Sequence, residues 1–175
     1  MRLRDAIDLI ADSGVATLGP MTWADLGCGT GTFTLALAGL LAAGSVIHAM
    51  DQDASALRKI PPAHDDVHIT THQGDFTSPV WPFNNLDGIL LANSLHYLED
   101  PATFIRQCEA RIRSPHRFLI VEYDTEEASR WVPHPLSHAR LLELFGAAGY
   151  SSIRMLGSRP SVYRRAALYA ALTTR

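Results

Sequence analysis

A glycine-rich segment close to the start of the chain combines an acid with three glycines. Gly27, Gly29 and Gly31 follow Asp25, with one residue between successive glycines. Glycines at these positions let the backbone turn sharply and approach a ligand without an obstructing Cβ atom. A helix that begins directly after them would offer unpaired N–H groups to a polar or anionic group. The segment therefore predicts a loop that holds a small polar ligand.

A second acid, Asp51, ends the next predicted strand. Its carboxylate could accept hydrogen bonds from both hydroxyls of a ribose, and such a charge-assisted bond contributes roughly 1.5–3 kcal/mol. Asp53 is the other candidate for this contact, but it is well placed to cap the short helix that follows. The glycine loop and Asp51 together indicate a ligand that contains a nucleoside.

The spacing of the glycines discriminates between nucleoside cofactors. A dinucleotide fingerprint requires G-x-G-x-x-G, whereas residues 25–31 read acid-x-G-x-G-x-G. An acid at the end of the strand would repel a pyrophosphate, but it would attract an ammonium group. These features favour S-adenosylmethionine, which joins adenine and ribose to a cationic sulfur and an amino acid.

An alternation of strands and helices would bring these residues together. The predicted strands are 23–26, 45–50, 67–72, 86–92 and 117–123, with two closing strands near 150–156 and 164–172; the predicted helices are 32–43, a short one after Asp53, 102–113 and 137–148. The pattern indicates a doubly wound, mostly parallel α/β sheet of about seven strands, with an antiparallel strand at the C-terminus. Ligands of such sheets bind at the carboxyl ends of the strands, where the strand order reverses.

Length and charge restrict the classes of partner. A chain of 175 residues fits one domain over residues 1–175, with an N-terminal helix and lead-in over 1–20. The formal net charge of −3 provides no basic field for nucleic acid, and no apolar run is long enough to span a bilayer. Cys28 and Cys108 are too isolated for a disulfide framework or a zinc ribbon. We expect a cytoplasmic protein without nucleic-acid or membrane partners.

The order of these motifs resembles the class I S-adenosylmethionine-dependent methyltransferases, in their small, minimal-core form similar to methyltransferase types 11 and 12. Residues 24–31 look like motif I, and residues 46–51 like the second strand with its ribose-binding acid. Residues 73–76 resemble the segment that follows the third strand in this family. Residues 86–96 resemble its fourth strand and the turn that follows it. The resemblance extends from about Trp23 to Tyr150 and implies a Rossmann-like methyltransferase fold, with S-adenosylhomocysteine as the product.

The resemblance also implies the residues of the cofactor site. These are Asp25, Gly27, Cys28, Gly29, Gly31, Asp51, Gln52, Gly74, Asp75, Phe76, Asn93 and Ser94. In the family, residues at the positions of Gln52 and Phe76 flank the adenine, the acid at the position of Asp75 accepts from its amino group, and the backbone at the position of Asn93 contacts the methionine end. Without a ligand contact, Asp75 would be an Asx-turn residue and Cys28 a small packing residue.

His96 and Tyr97 are the candidate catalytic residues, because they leave the fourth predicted strand beside the expected sulfonium. His96 could act as a general base or orient the acceptor; the alternative is a residue packed at the start of a helix. The strand exit lacks the Asn/Asp-Pro-Pro-aromatic motif of amino-methylating enzymes and has no cysteine for a covalent cytosine mechanism. A small organic acceptor is therefore favoured. Two pairs of the eight histidines, His68 with His72 and His134 with His138, have a suggestive spacing, but no third ligand does, so we expect no metal.

Two other functions fit parts of the same pattern. A cofactor-binding or sensing module without turnover is one, because the chain has little material beyond the core from which to build a substrate lid. A nicotinamide-dependent reductase is the other, although the glycine spacing and the lack of a Tyr-x-x-x-Lys pair oppose it. No helix is predicted between the third and fourth strands, so that side could be open, covered by the N-terminal helix, or closed by a partner subunit in a homodimer.

Overall fold

The computed structural model describes residues 1–15, 19–160 and 166–175, and within them eight strands form one sheet. The strands are β1 (Thr22–Leu26), β2 (Val46–Asp51), β3 (Ala63–His64), β4 (Val67–Gln73), β5 (Gly88–Ala92), β6 (Arg117–Asp124), β7 (Ser152–Pro160) and β8 (Ala167–Thr174). The α-helices of the described residues are α1 (Leu3–Ile10), α2 (Thr32–Ala38), α3 (Ala54–Leu57), α4 (Pro101–Glu109) and α5 (His138–Ala147).

The strand order is β3-β4-β2-β1-β5-β6-β8-β7. The neighbours from β4 to β6 pair in parallel, while β3, β8 and β7 pair antiparallel with their neighbours. The chain runs from β1 outward through β2 to β4 and then returns to place β5 on the other side of β1. The strand order therefore reverses between β1 and β5, which is where ligands bind in this class of sheet. The predicted doubly wound, mostly parallel sheet is confirmed.

The structure differs from the prediction in the count of strands and in some boundaries. The additional strand β3 has two residues, joined to β4 through Asp65 at a φ of 49°, and so short a strand carries no alternating pattern. Helix α2 ends at Ala38, with Gly39 as its C-cap, and not at residue 43. Strand β8 is described from Ala167 onward, so the predicted strand residues Arg164 and Arg165 lie outside the described residues.

Helices cover both faces of the sheet, and β5 shows how one strand serves two cores. Leu90 belongs to the core on the side of α1 and α2. Its neighbours Ile89 and Leu91 belong to the core on the side of α4 and α5. This is why the strand reads as a continuous apolar run: successive side chains point to opposite faces and both faces are buried.

The N-terminal helix α1 lies against α2 and β7. Arg159 of β7 binds α1 through Asp5 at 2.7 Å and Asp8 at 3.1 Å. Arg154 donates to the backbone carbonyls of Asp12 and Ser13 in the turn after α1. The Arg159 contacts place the start of α1 near the carboxyl ends of the parallel strands, because Arg159 pairs with Leu168 and Leu168 pairs with Tyr123 near the end of β6. None of the helices in the described ranges is long and apolar enough to cross a membrane.

Candidate active site

The glycine loop, residues 27–31 between β1 and α2, has the backbone that its composition predicts. Gly27 and Gly29 have φ values of 77° and 52°, in a region that L side chains rarely adopt. A Cβ atom on Gly27 would lie 2.7 Å from Ser94 Cβ, whereas one on Gly29 would meet nothing within 4 Å. Gly27 thus permits close packing against the exit of β5, and Gly29 leaves the loop open to a ligand.

Asp51 ties the end of β2 to this loop. Its Oδ2 accepts from the Gly29 N–H at 2.7 Å and its Oδ1 from the Asp53 N–H at 2.9 Å. A carboxylate has about four lone-pair sites, so two remain for hydroxyl groups of a ligand. The Asp53 carboxylate is instead engaged by the N–H and hydroxyl of Ser55, where it caps α3. The geometry favours Asp51 over Asp53 for the ribose, and the contact itself stays a prediction.

Asp25 is a buried acid in the wall of the site. Its side chain is 1% exposed, and its Oδ2 accepts from the Thr34 hydroxyl at 2.6 Å. Its Oδ1 is buried without a hydrogen-bond partner among the described residues. Burial raises the pKa of Asp25 to about 7; the Thr34 hydrogen bond lowers the pKa, and the nearby charge of Asp51 raises it. An unpartnered carboxylate oxygen in this position suits a cationic group such as an ammonium.

The exit of β5 brings a second acceptor to the same place. Asn93 adopts a φ of 56°, which asparagine tolerates better than most residues, and its N–H donates to Val121 on β6 at 2.8 Å. The side-chain oxygen of Asn93 and the hydroxyl of Ser94 are buried without partners in the described parts of the chain. Asp25 and Asn93 therefore each have a buried oxygen without a hydrogen-bond partner among the described residues, and both residues line the cavity beside the glycine loop; they fit the amino acid end of S-adenosylmethionine.

The residues predicted to contact adenine lie at the same edge of the sheet, after β2 and β4. Gln52 and Asp75 are exposed, and Gly74 and Phe76 are half-buried. The Asp75 carboxylate accepts from the N–H and hydroxyl of Thr77 at 2.8 and 2.7 Å, and these bonds lower the pKa of Asp75. The structure thus shows the Asx turn at Asp75, and the adenine contacts of this group stay predictions.

A cavity of about 970 Å³ opens beside the glycine loop. The loop, Asp25 and Asn93 form one wall, and α1, β7 and the start of β8 form the opposite side. The residues of the second side escape sequence reasoning because they are remote from every motif: Arg2, Asp5, Arg159, Pro160 and Leu168. The acids of α1 and the late arginines carry opposite charges, but nothing in their spacing indicates that they pair across about 150 residues.

His96 and Tyr97, the candidate catalytic residues, do not line this cavity. The His96 side chain is 2% exposed, and its Nδ1 lies 2.6 Å from Oε2 of Glu122, a buried acid that sequence reasoning missed. Tyr97 is 54% exposed and its ring lies 4.4 Å from that of His96. Contact of either residue with the acceptor stays a prediction.

Cys28 and the histidines show no sign of reactive or metal-binding chemistry in the described residues. Burial, together with the charges of Asp25 and Asp51, raises the pKa of the Cys28 thiol, which disfavours the nucleophilic thiolate. His48 Nδ1 and His72 Nε2 lie 3.0 Å apart. Within the described ranges, no group of three or more metal-ligating side chains could hold a metal ion.

Comparison with known proteins gives the family. A family model described as a methyltransferase domain matches residues 24–120, more than half of the 175 residues. No curated protein matches the sequence significantly.

Solved structures of methyltransferases share the fold. A SAM-dependent methyltransferase from Aquifex aeolicus has a TM-score of 0.68 at 16% identity, covering 97% of this chain and 89% of that chain. Magnesium protoporphyrin IX methyltransferase from Synechocystis has a TM-score of 0.64 at 14% identity, covering 99% and 77%. An arsenic(III) S-adenosylmethionine methyltransferase from Chlamydomonas reinhardtii has a TM-score of 0.67 at 14% identity, covering 98% and 72%. At these identities the likeness establishes the fold alone.

The family match and the local geometry agree. The matched residues include the glycine loop, Asp51 and the exit of β5, which are the segments that converge where the strand order reverses. The chain therefore belongs to the methyltransferase domain family and is a class I S-adenosylmethionine-dependent methyltransferase.

Proposed function

We propose that this methyltransferase passes its methyl group directly to a small organic molecule held in the cavity beside the glycine loop. The observation that carries the proposal is the shared wall between the cofactor site and the cavity. Gly27, Gly29 and Asn93 belong to both. An acceptor in the cavity would thus lie next to the methionine end of the cofactor.

The walls of the cavity favour an acceptor with an apolar body. Phe33, Ala92, Pro160 and Leu168 contribute apolar surface, and Tyr123 adds an aromatic ring. Ligand pockets of this kind combine mostly apolar walls with a few polar groups that fix orientation.

The charged groups at the cavity edge are already paired with one another. Arg2 Nε lies 2.9 Å from Asp5, and Arg159 lies 2.7 Å from the same carboxylate. Arg2, Asp5 or Arg159 could neutralise a strongly charged acceptor only by leaving its present ion pair. The arrangement supports an acceptor without a large net charge.

Bound S-adenosylmethionine supplies an activated methyl group on a cationic sulfur. The contribution of this chain is to hold the two reactants, because positioning alone can lower a barrier by roughly 7–11 kcal/mol. In the proposal Asp25 and Asn93 bind the amino acid end, Asp51 binds the ribose, and the apolar walls hold the acceptor. Asp25 would bind the ammonium group in its ionised form.

Two further observations support a small acceptor. The formal net charge of −3 offers nucleic acid no general attraction. The structural neighbours named above include enzymes whose names specify magnesium protoporphyrin IX and arsenic(III), both of them small acceptors.

A labelling experiment tests the proposed substrate class. The protein is incubated with methyl-labelled S-adenosylmethionine and with the small-molecule, nucleic-acid and protein fractions of a cell extract. We expect the label in the small-molecule fraction. Label found only in nucleic acid or protein would overturn the proposal, and cofactor binding without any transfer would favour a sensing module.

Variants on β8 test whether the acceptor occupies the cavity. Leu168→Phe places extra volume in the cavity, so we expect label transfer to fall about tenfold, since small misplacements of reactants cost up to two orders of magnitude. The affinity for S-adenosylhomocysteine should be unchanged in calorimetry. Leu172→Phe is the matched control, because Leu172 lies on the same strand face but does not line the cavity. Equal transfer by both variants would place the acceptor elsewhere.

A further inference from the structure

The turn that follows β5 is held by a buried carboxylate on the neighbouring strand. We call residues 93–97 the exit turn; it contains Asn93, Ser94 and a short 3₁₀ helix over Leu95–Tyr97. Glu122 on β6 is 1% exposed. Its Oε1 accepts from the backbone N–H of His96 at 3.2 Å, and its Oε2 lies 2.6 Å from the Nδ1 atom of the same residue.

Both groups of this pair are buried, so the pair constrains geometry strongly. A buried carboxylate without partners is costly, and His96 supplies it with two donors at once. The backbone carbonyl of His96 in turn accepts from the His134 N–H at 3.0 Å. The backbone N–H and the backbone carbonyl of His96 are thus both hydrogen-bonded, which fixes the exit turn at this residue.

The exit turn touches the cofactor site at two points. Asn93 lines the cavity, and its buried side-chain oxygen has no partner in the part of the chain that the structure describes. Ser94 packs so closely against the glycine loop that a Cβ atom on Gly27 would lie 2.7 Å from Ser94 Cβ. A shift of the turn would therefore move Asn93 and disturb the loop together.

We propose that Glu122 is a positioning residue for the cofactor site: through its two bonds to His96 it fixes the exit turn that presents Asn93 to the amino acid end of S-adenosylmethionine. The inference concerns the cofactor site and is independent of the acceptor class proposed above. Failure of the labelling experiment and failure of this inference are thus distinguishable.

The geometry assigns His96 an indirect role in this arrangement. Its Nδ1 atom is taken by Glu122, and its Nε2 atom is buried without a partner among the described residues. Its ring does not line the cavity. His96 is therefore the anchor through which Glu122 acts on Asn93.

A pair of ligands separates positioning from a general loss of stability. S-adenosylhomocysteine carries the amino acid end, whereas 5′-methylthioadenosine has the same nucleoside without it. In Glu122→Met, which keeps the side-chain length but cannot accept these bonds, the Kd for S-adenosylhomocysteine should rise about tenfold or more, as the loss of buried hydrogen-bond partners implies. The Kd for 5′-methylthioadenosine should rise much less, because Asp51, the proposed ribose acceptor, stands at the end of β2 and not on the exit turn.

Conservative and distant variants complete the test. Glu122→Gln keeps one acceptor and one donor for His96, so it should restore most of the affinity for S-adenosylhomocysteine. Glu109→Met is the matched control: Glu109 is 13% exposed and accepts from the Tyr150 hydroxyl at 2.9 Å, on α4 and away from the cavity. Equal weakening of both ligands in Glu122→Met, or full affinity for S-adenosylhomocysteine in the folded variant, would overturn the inference.

Hydrogen exchange keeps the inference testable if Glu122→Met does not fold. In the ligand-free wild-type protein we expect the amide of His96 to be protected, and in Glu122→Gln, which keeps an oxygen acceptor for this amide, we expect it to stay protected. Exchange of the wild-type His96 amide at the rate of an exposed loop would contradict the assignment.

Discussion

Asp25 is a buried acid whose proposed role in ligand binding would come at a cost in stability. Its carboxyl group is buried beside the cavity, and Thr34 satisfies one oxygen while the other has no hydrogen-bond partner among the described residues. Burial disfavours the charged form, and this raises the pKa of Asp25 to about 7. A ligand ammonium would supply the missing partner and favour ionisation.

At this residue we predict a pH dependence of folding stability. In the unfolded chain the pKa of the Asp25 carboxyl returns to about 3.8, so between about pH 4 and pH 7 the folded state binds more protons than the unfolded state. The contribution of Asp25 to the free energy of unfolding should then fall as pH rises through this window, by at most about 1.4 kcal/mol per unit. Denaturant unfolding at a series of pH values measures it.

Asp25→Asn is the comparison that isolates this effect, because the amide does not titrate. Burial lowers the pKa of His48 and His72, which makes stability rise with pH and so opposes the Asp25 contribution. Both proteins contain these histidines, so their contribution cancels in the difference between the two free energies of unfolding. A difference that stays flat from pH 4 to pH 7 would show that Asp25 is ionised in the ligand-free protein.

At the scale of elements, the position of α1 decides the shape of the cavity. The helix buries Ala6, Leu9 and Ile10. Arg2 and Asp5 face the cavity and, with Arg159 of β7, form its charged edge. Contacts between α1 and β7 thus link the N-terminal helix to the last part of the sheet.

We expect Arg159→Met to loosen α1 locally while the sheet stays folded. The variant loses the contacts with Asp5 and Asp8, which are partly exposed and hence weak. Amide exchange within α1 should accelerate by about fivefold or less. The acceleration should be smaller at high salt, because salt already weakens these ion pairs in the wild-type protein. Hydrogen exchange followed by mass spectrometry measures this.

Arg113→Met provides the control for this change. Arg113 forms an ion pair of the same length, 2.7 Å, with Asp87, and neither residue lines the cavity. Its loss should leave the exchange of α1 unaltered. Unchanged exchange of α1 in Arg159→Met would mean that the buried face of the helix alone holds it in place.

The same elements explain what the sequence could reveal. The glycine loop was predictable because glycine itself encodes the left-handed backbone at Gly27 and Gly29. The start of α3 was predictable from its local cap, Asp53, whose side chain accepts from the Ser55 N–H. Glu122 was not, because its partner His96 lies 26 residues away and only the pairing of β5 with β6 brings them together.

At the scale of the whole molecule, the site collects residues from distant parts of the chain. Asp25, Asp51 and Asn93 stand at the ends of β1, β2 and β5, and the strand order reverses between β1 and β5. The motifs predict this half of the site because each follows its strand directly. The half formed by α1 and β7 depends on packing across the sheet end, which local patterns do not encode.

Because these groups come together only in the folded chain, a ligand of this site should stabilise the entire sheet. At a hundredfold excess over its Kd, S-adenosylhomocysteine should add about 2.7 kcal/mol to the free energy of unfolding. For a domain of this length that corresponds to a rise in Tm of roughly 5–10 °C.

NAD at the same concentration should give no shift, since the acid at the end of β1 repels a pyrophosphate and the glycine spacing differs from the dinucleotide fingerprint. Thermal unfolding of the protein with each compound measures the difference, and Asp51→Ala, which lacks the proposed ribose acceptor, should lose most of the S-adenosylhomocysteine shift. Equal stabilisation by NAD, or a full shift in Asp51→Ala, would show that the ligand binds without the convergence of β1 and β2 on which the site is built.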